Sequence, residues 1–146
     1  MSKKIFVTGG TGFIGQKLTT RLAKEGNQVV ALIRSAAKAK ELQHPNISFV
    51  EGDLFNIASL EVGMHEADEV YHLAAFASVW AKDDRFSKVN IDGTLNILNA
   101  AKKKGVQKIL VTSTAGVIGP AIDGPVHEES PRKVDFFTDY ERSKYE

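Results

Sequence analysis

The sequence predicts an α/β fold in which a parallel sheet is covered by helices on both faces. The first observation is that apolar runs of strand length alternate with helical patterns along the 146 residues. The second is that these runs are continuously apolar, which is typical of parallel strands buried on both sides. The third is that the first run ends in closely spaced glycines that lead directly into a helical pattern. Together they predict a doubly wound parallel sheet with strand order 3-2-1-4-5.

The predicted elements alternate between strand and helix. The strands are the apolar runs at 3–8, 28–33, 47–50, 69–73 and 108–112. The helices lie between them, at about 13–25, 35–43, 56–64 and 84–104. Gly26 and Gly105 are placed to end the first and last of these helices, because glycine readily adopts the left-handed conformation needed there. The last helix is expected to carry Leu95, Leu98 and Ala101 on one side.

Composition limits the class of protein. With 42% hydrophobic and 25% charged residues, the chain is expected to form one folded domain with its own core. A net charge of +1 gives no reason to expect a nucleic acid or an anionic membrane as partner, and no apolar run is long enough to span a bilayer. The absence of cysteine excludes disulfides and thiolate metal sites, and it suits the cytoplasm. The four histidines show no metal-ligand spacing, so no metal site is predicted.

The glycine-rich turn after the first strand predicts a phosphate-binding site. Its sequence is Thr8-Gly9-Gly10-Thr11-Gly12-Phe13-Ile14-Gly15. Gly9, Gly12 and Gly15 permit a tight turn and a close approach of the backbone. The free N–H groups where the helix begins, at Phe13 and Ile14, attract negative charge. These five residues are therefore expected to hold a dinucleotide pyrophosphate; a tight turn without a ligand is the alternative.

The end of the second strand bears on which dinucleotide binds. An acidic residue about 20 positions after the glycines would bind the ribose 2′-hydroxyl of NAD. Nineteen residues after Gly15 the chain has Arg34 instead, followed by Lys38 and Lys40. A guanidinium can pair with a 2′-phosphate and stack on adenine, so the sequence favours NADP over NAD. A solvated surface arginine is the alternative.

Two further strand ends are candidates for cofactor contacts. Asp53 and Leu54 follow the third strand, where the carboxylate can accept a hydrogen bond from the adenine amino group or form an Asx-turn. Small residues follow the fourth strand, where a backbone must approach the cofactor, in the run Leu73-Ala74-Ala75. His72, which precedes this run, is expected to be a packed strand residue.

Hydroxyl and phenol groups near the end of the chain predict a proton-transfer site. Thr112-Ser113-Thr114 ends the fifth strand, and Tyr140 and Lys144 lie one helical turn apart. A phenol has an ordinary pKa of about 10, and a nearby ammonium lowers that pKa by favouring the phenolate. Tyr140 can then donate a proton to a carbonyl oxygen while a hydride reaches its carbon. Alone, this spacing is typical of a solvated helix face; the glycine turn and the hydroxyls favour the chemical interpretation.

These motifs resemble those of a known family. They comprise the glycine turn, Gly52-Asp53-Leu54, His72-Leu73-Ala74-Ala75, Asn90 with Gly93-Thr94, Thr112-Ser113-Thr114 with Gly119, and Tyr140 with Lys144. The chain is similar to the N-terminal part of the extended short-chain dehydrogenases/reductases, the NAD-dependent epimerase/dehydratase family. It most resembles their dihydroflavonol-reductase-like members.

The resemblance implies a catalytic set of Thr114, Tyr140 and Lys144. Thr114 is chosen over Ser113 because Gly119 stands five residues after it, as in the family motif. Ser113 would then face the substrate.

The resemblance also implies residues around the ligands. Asn90 would pack near the cofactor, although a buried helix asparagine that bonds to the backbone is equally compatible. Arg34 corresponds to the NADP-selecting arginine of reductase-like members. Phe76 and Trp80, with the loop 115–137 that is expected to arch over the sheet edge, would line the substrate cleft; lids or plain packing are alternatives.

The family pattern implies a longer protein. Members usually have a C-terminal lobe that supplies most substrate contacts, and here the chain stops at Glu146 inside a helical pattern without a cap. We therefore expect residues 1–146 to be a dinucleotide-binding domain, truncated within the helix of Tyr140 and Lys144 and lacking that lobe. The fragment alone is expected to be inactive, and the full-length protein to form a homodimer through the long helix and the Tyr140 helix.

Three functions are compatible with these motifs. The first is an NADP-dependent oxidoreductase that reduces a ketone or aldehyde, with Tyr140 as proton donor. The second is a sugar-nucleotide epimerase or dehydratase with tightly bound NAD. The third is a regulatory domain that binds a dinucleotide without catalysis, against which the presence of Tyr140 and Lys144 argues.

Overall fold

The computed structural model describes residues 2–78 and 84–146. Its sheet is parallel and has the order β3-β2-β1-β4-β5, as the sequence predicted. The strands are β1 (Lys4–Thr8), β2 (Gln28–Ile33), β3 (Ile47–Glu51), β4 (Glu69–His72) and β5 (Lys108–Val111). In register, Phe6 of the central strand β1 lies between Val30 of β2 and Val70 of β4. The doubly wound, Rossmann-like fold is confirmed.

The sheet is held together by apolar side chains on both of its faces. Phe6 and Val7 are fully buried in β1, and Val70 is fully buried in β4. Burial of each large apolar side chain stabilises the fold by about 1.5–3 kcal/mol relative to exposure. One core cluster joins β1, β2, β3 and α1 and consists of Ile5, Val7, Leu22, Ala23, Val29, Ala31, Leu42 and Ile47. These contacts explain the continuous apolar runs of β1 and β2, whereas in β5 Leu110 and Val111 are 41% and 38% exposed.

The helices of the described residues follow the predicted order. The α-helices are α1 (Phe13–Lys24), α2 (Ile57–Gly63), α3 (Gly93–Lys104) and α4 (Asp139–Tyr145), with 3₁₀ turns at Ala36–Glu41 and Ala115–Val117. Gly26 and Gly105 follow α1 and α3 with φ of +90° and +71°, as predicted for residues that end helices. Asn56 caps α2 by accepting a hydrogen bond from the Ser59 N–H at 3.1 Å.

The long helix predicted over 84–104 is instead two elements. Phe86–Asp92 forms a π-helix, and α3 begins at Gly93. The prediction that Leu95, Leu98 and Ala101 share one side was wrong, because the two leucines are 50% and 37% exposed. The buried face of α3 consists of Gly93, Ile97, Ala100 and Ala101. Gly93 sets this face, since a Cβ there would lie 2.8 Å from Cδ1 of Leu54.

The chain divides into two compact units. The first, called here the sheet unit, comprises the chain up to Ala75 together with Gly93–Thr112. It contains all five strands, α1, α2 and α3. The second, called here the α4 unit, comprises Phe76–Asp92 and Ser113–Glu146 and contains the π-helix, the turn Ala115–Val117 and α4.

Candidate functional site

The turn between β1 and α1 requires glycine at positions 9 and 15. Gly9 has φ of +70°, and a Cβ there would lie 2.6 Å from the backbone nitrogen of Ala74. A Cβ on Gly15 would overlap the carbonyl group of Gly9. The backbone after β4, at Leu73 and Ala74, is therefore packed directly against the turn. The approach of this run to a cofactor stays a prediction.

Among the described residues, no side chain caps the N-terminus of α1. Gly12 is the N-cap and supplies no side-chain acceptor, and the first turn contains no acidic residue. The first helical hydrogen bond runs from the N–H of Gln16 to the oxygen of Gly12, at 2.9 Å. Phe13 and Ile14 are 91% and 62% exposed. Open amides at an uncapped helix start fit the negative charge of a pyrophosphate.

A buried polar network lies beneath this turn, and the sequence interpretation gave no role to its first member, Thr8. The Thr8 Oγ1 lies 2.6 Å from Nδ1 of His72 and accepts a hydrogen bond from the Ala74 N–H at 3.3 Å. Nε2 of His72 lies 3.1 Å from Oγ1 of Thr94. His72 is 1% exposed and is thus a packed strand residue, as expected. The network connects the ends of β1 and β4 to α3. The sequence signal for the role of Thr8 was its position directly before the glycines.

The ends of β2 and β3 have different surroundings. Arg34 is exposed directly after β2, and Lys38 and Lys40 are exposed in the 3₁₀ turn that follows. Asp53 forms the Asx-turn that the sequence left open, with Oδ1 accepting from the N–H groups of Phe55 at 2.8 Å and Asn56 at 3.0 Å. The turn occupies Oδ1 of this carboxylate.

Within the α4 unit, the structure brings the segment of Thr114 next to the helix of Tyr140 and Lys144. Thr114 begins the turn Ala115–Val117, and its Oγ1 accepts a hydrogen bond from the Gly116 N–H at 3.3 Å. A Cβ on Gly116 would lie 2.9 Å from Cγ of Glu141, the residue after Tyr140. The absent side chain at Gly116 is therefore what lets α4 pack against this turn. Ser113, just before it, is exposed.

The first turn of α4 is fixed by a side-chain N-cap. Thr138 is the N-cap and accepts a hydrogen bond from the Glu141 N–H at 3.1 Å. Tyr140 and Lys144, at positions i and i+4, are both half-buried. Burial lowers the pKa of the Lys144 ammonium, and no neighbouring carboxylate in the described part of the chain offsets that effect.

Asn90 lies in the π-helix and is buried. Its Oδ1 accepts a hydrogen bond from the Phe76 N–H at 2.8 Å, and its Nδ2 donates to the Phe76 oxygen at 3.0 Å and to Oγ of Ser143 at 2.9 Å. This is the backbone-bonding role that the sequence left open. A π-helix often marks a functional segment, and this one joins the chain after β4 to α4.

Phe76 belongs to an aromatic cluster of the α4 unit. Its ring centroid lies 4.8 Å from that of Phe86, which in turn lies 6.5 Å from that of Tyr140. The guanidinium of Arg85 lies 4.4 Å from the Phe76 centroid. Phe76 thus reaches the phenol through one intervening ring. Trp80, the other aromatic residue expected to line the cleft, lies outside the described residues.

Within the described residues, no helix combines the length and the apolar character needed to cross a bilayer.

Comparison with known proteins finds relatives along nearly the whole chain. A putative dihydroflavonol 4-reductase from Synechocystis is 38% identical, over 99% of this chain and 43% of that protein. A 2-alkyl-3-oxoalkanoate reductase from Stenotrophomonas maltophilia is 34% identical, over 97% of this chain and 43% of that protein. The chain therefore spans less than half the length of these curated relatives.

Solved structures share the fold at similar identity. The Bordetella bronchiseptica enzyme WbmH in complex with NAD+ is 32% identical with a TM-score of 0.82, over 99% of this chain and 50% of that one. The UDP-N-acetylglucosamine 4-epimerase from Methanobrevibacter ruminantium, in complex with UDP-N-acetylmuramic acid, is 31% identical with a TM-score of 0.85, over 98% and 47%. The model of the NAD dependent epimerase/dehydratase family matches residues 5–146. With this match, and with the glycine turn and the ordered motifs in place, the chain belongs to the NAD-dependent epimerase/dehydratase family.

Proposed function

We propose that the protein is an NADP-dependent oxidoreductase that reduces a ketone or aldehyde, with Tyr140 as the proton donor. The observation that carries the proposal is the arrangement of Tyr140 and Lys144, one turn apart on α4, next to the turn that Thr114 begins. The names of the two curated relatives, both reductases, support the reaction class.

The sheet unit provides the residues that would hold the dinucleotide. The open amides of Phe13 and Ile14 would bind the pyrophosphate, and the absence of side chains at Gly9, Gly12 and Gly15 would let it approach the backbone. Leu73, Ala74 and Ala75 would face the cofactor from the end of β4, and Asp53 and Leu54 from the end of β3. When bound, the nicotinamide supplies the hydride that the carbonyl carbon receives.

The proposed preference for NADP over NAD rests on Arg34. It is exposed directly after β2, at the position where an acidic residue would bind the ribose of NAD. A guanidinium there would pair with the 2′-phosphate in two parallel hydrogen bonds. Lys38 and Lys40 add positive charge to the same segment.

The α4 unit provides the residues that would act on the substrate. Thr114 accepts a backbone hydrogen bond at Oγ1, and no acceptor among the described residues takes its hydroxyl proton, which would bind the substrate oxygen. Tyr140 would give its proton to that oxygen as the carbon is reduced. Lys144 would bind the nicotinamide ribose and stabilise the phenolate that remains. Ser113, Phe76 and Trp80 would contact the rest of the substrate, and Asn90 would secure Phe76 close to the cofactor.

The test is the substitution Tyr140→Phe in the complete protein, with NADPH oxidation measured on a panel of ketones and aldehydes. We expect kcat to fall by about 100-fold or more, the contribution of a positioned general acid. Tyr145→Phe is the matched control, because Tyr145 lies on the same helix, is 60% exposed, and contacts Phe136 through a tilted ring that the variant keeps. A Tyr140→Phe variant with the rate of the wild type would contradict the proposal.

One observation favours a second function, a sugar-nucleotide epimerase or dehydratase. The solved structures that the chain resembles include an epimerase in complex with UDP-N-acetylmuramic acid and an enzyme in complex with NAD+. Such an enzyme recycles its cofactor, so purified protein would retain NAD(H) and turnover would give no net change in nicotinamide absorbance. Net NADPH consumption in the same assay would exclude this alternative.

A further inference from the structure

Arg132 is the most extensively bonded side chain of the segment between the turn Ala115–Val117 and α4. Its side chain is 7% exposed, although it lies in a stretch without regular secondary structure. Nε donates to the Val134 oxygen at 2.8 Å, and one terminal nitrogen donates to the Asp135 oxygen at 2.8 Å. The other terminal nitrogen donates to the carbonyl oxygen of Gly116. A buried guanidinium with its donors used in this way fixes the path of the chain around it.

The same guanidinium also binds α4. Its terminal nitrogen lies 3.2 Å from Oε2 of Glu141, and the pair is largely buried, since the Glu141 side chain is 19% exposed. Oε2 of Glu141 also accepts a hydrogen bond from the Phe137 N–H at 3.0 Å. The ring of Phe136 lies under the guanidinium, with its centroid 4.1 Å away. Arg132 is thus held from three sides and cannot easily change its position.

The two ends of this set of contacts are next to the proposed catalytic residues. Gly116 lies two residues after Thr114 and donates its N–H to the Thr114 hydroxyl. Glu141 directly follows Tyr140 on α4. Arg132 is therefore the side chain that joins the Thr114 segment to the Tyr140 helix, and it does so with a rigid, planar group.

We propose that Arg132 is a positioning residue, which holds the Thr114 hydroxyl and the Tyr140 phenol at the separation that proton transfer to one substrate oxygen requires. The proposal rests on the proposed function of the same site. A displacement of about 1 Å in such a site can lower the rate about 100-fold, so the loss of one fixed contact between the two segments is enough to matter. Lysine cannot replace the arginine, because a single ammonium cannot span the Gly116 oxygen and the Glu141 carboxylate with fixed geometry.

The test compares Arg132→Lys with Lys133→Ala in the complete protein. Lys133 is the adjacent residue, and within the described part of the chain its one ion pair is an exposed contact with Asp123 at 2.8 Å, so its removal is a matched control. We expect Arg132→Lys to lower kcat by about 10- to 100-fold. We expect the dissociation constant of NADPH, measured by the fluorescence of the bound nicotinamide, to stay within about twofold for both variants, as for a substitution away from the binding site.

Two further measurements distinguish a positioning role of Arg132 from a role in folding alone. The rate is normalised to the folded fraction, determined by circular dichroism. The pH profile of kcat is recorded as well, because a changed geometry of proton transfer alters that profile, whereas a smaller folded fraction does not. Glu141→Gln, which keeps an acceptor of the same shape, is the second variant in case Arg132→Lys does not fold; we expect a smaller loss in the same direction. An unchanged kcat and pH profile in the folded variants would overturn the proposal. If Tyr140→Phe retains full activity, the proposed function fails; if only the Arg132 and Glu141 variants retain it, the positioning role alone fails.

Discussion

At the residue scale, Lys144 shows how a proposed functional group can oppose stability. Burial lowers the pKa of its ammonium, because a half-buried charge loses part of its hydration. No neighbouring carboxylate in the described part of the chain compensates for this loss. A residue of this kind is retained for what it does, and its removal should leave the fold intact.

We expect Lys144→Met to abolish most of the reductase rate and to leave the free energy of unfolding equal or higher, since methionine has a similar length and no charge to desolvate. The pH dependence has a definite sign. Because the pKa is lower in the folded state, the unfolded state binds more protons between that lowered value and the ordinary value of about 10.4. Wild-type stability should therefore rise with pH in that window relative to the variant, measured by urea unfolding at several alkaline pH values. A difference that falls with pH would contradict this assignment.

At the element scale, the inner strands were predictable because burial on both faces leaves a continuous apolar run, as in Ile5-Phe6-Val7. The division of the helix predicted over 84–104 into a π-helix and α3 was not predictable. The first part is shaped by a hydrogen bond between Asn90 and Phe76, which lie fourteen positions apart in the sequence. Periodicity likewise placed Leu95 and Leu98 on the same side of α3 as the buried Ala101. The close approach of Gly93 to Leu54 instead determines which face is buried. Tertiary contacts of this kind leave no pattern in a short window of sequence.

The glycine turn gives a sharp prediction at the same scale. Gly9→Ala should destabilise the protein by about 2–5 kcal/mol, because it combines a left-handed φ with an overlap against the backbone of Ala74. NADPH binding should be lost with it. Gly26→Ala is the control: its φ is +90° but nothing lies within 4 Å of the added Cβ, so about 1–2 kcal/mol of backbone strain is expected. Unfolding by urea checks both values, and equal losses in the two variants would show that the close approach at Ala74 is unimportant.

At the scale of the whole molecule, the candidate residues are distributed over two compact units. The sheet unit contains the glycine turn and Arg34, and the α4 unit contains Thr114, Tyr140 and Lys144. The sequence predicted both sets, because each follows a short motif at a strand end or on a helix. It gave no sign of Arg132, whose contacts join residues up to sixteen positions away through irregular backbone. The proposed function requires that both sets of residues serve a single bound dinucleotide.

The most direct test of this requirement is a crystal structure of the complete protein with NADP+. We expect the pyrophosphate on the amides of Phe13 and Ile14, the 2′-phosphate on Arg34, and the Tyr140 hydroxyl within hydrogen-bond reach of the position of a substrate oxygen, about 2.6–3.2 Å. A dinucleotide bound away from the glycine turn, or a Tyr140 hydroxyl far from the nicotinamide when the cofactor is fully bound, would contradict the account.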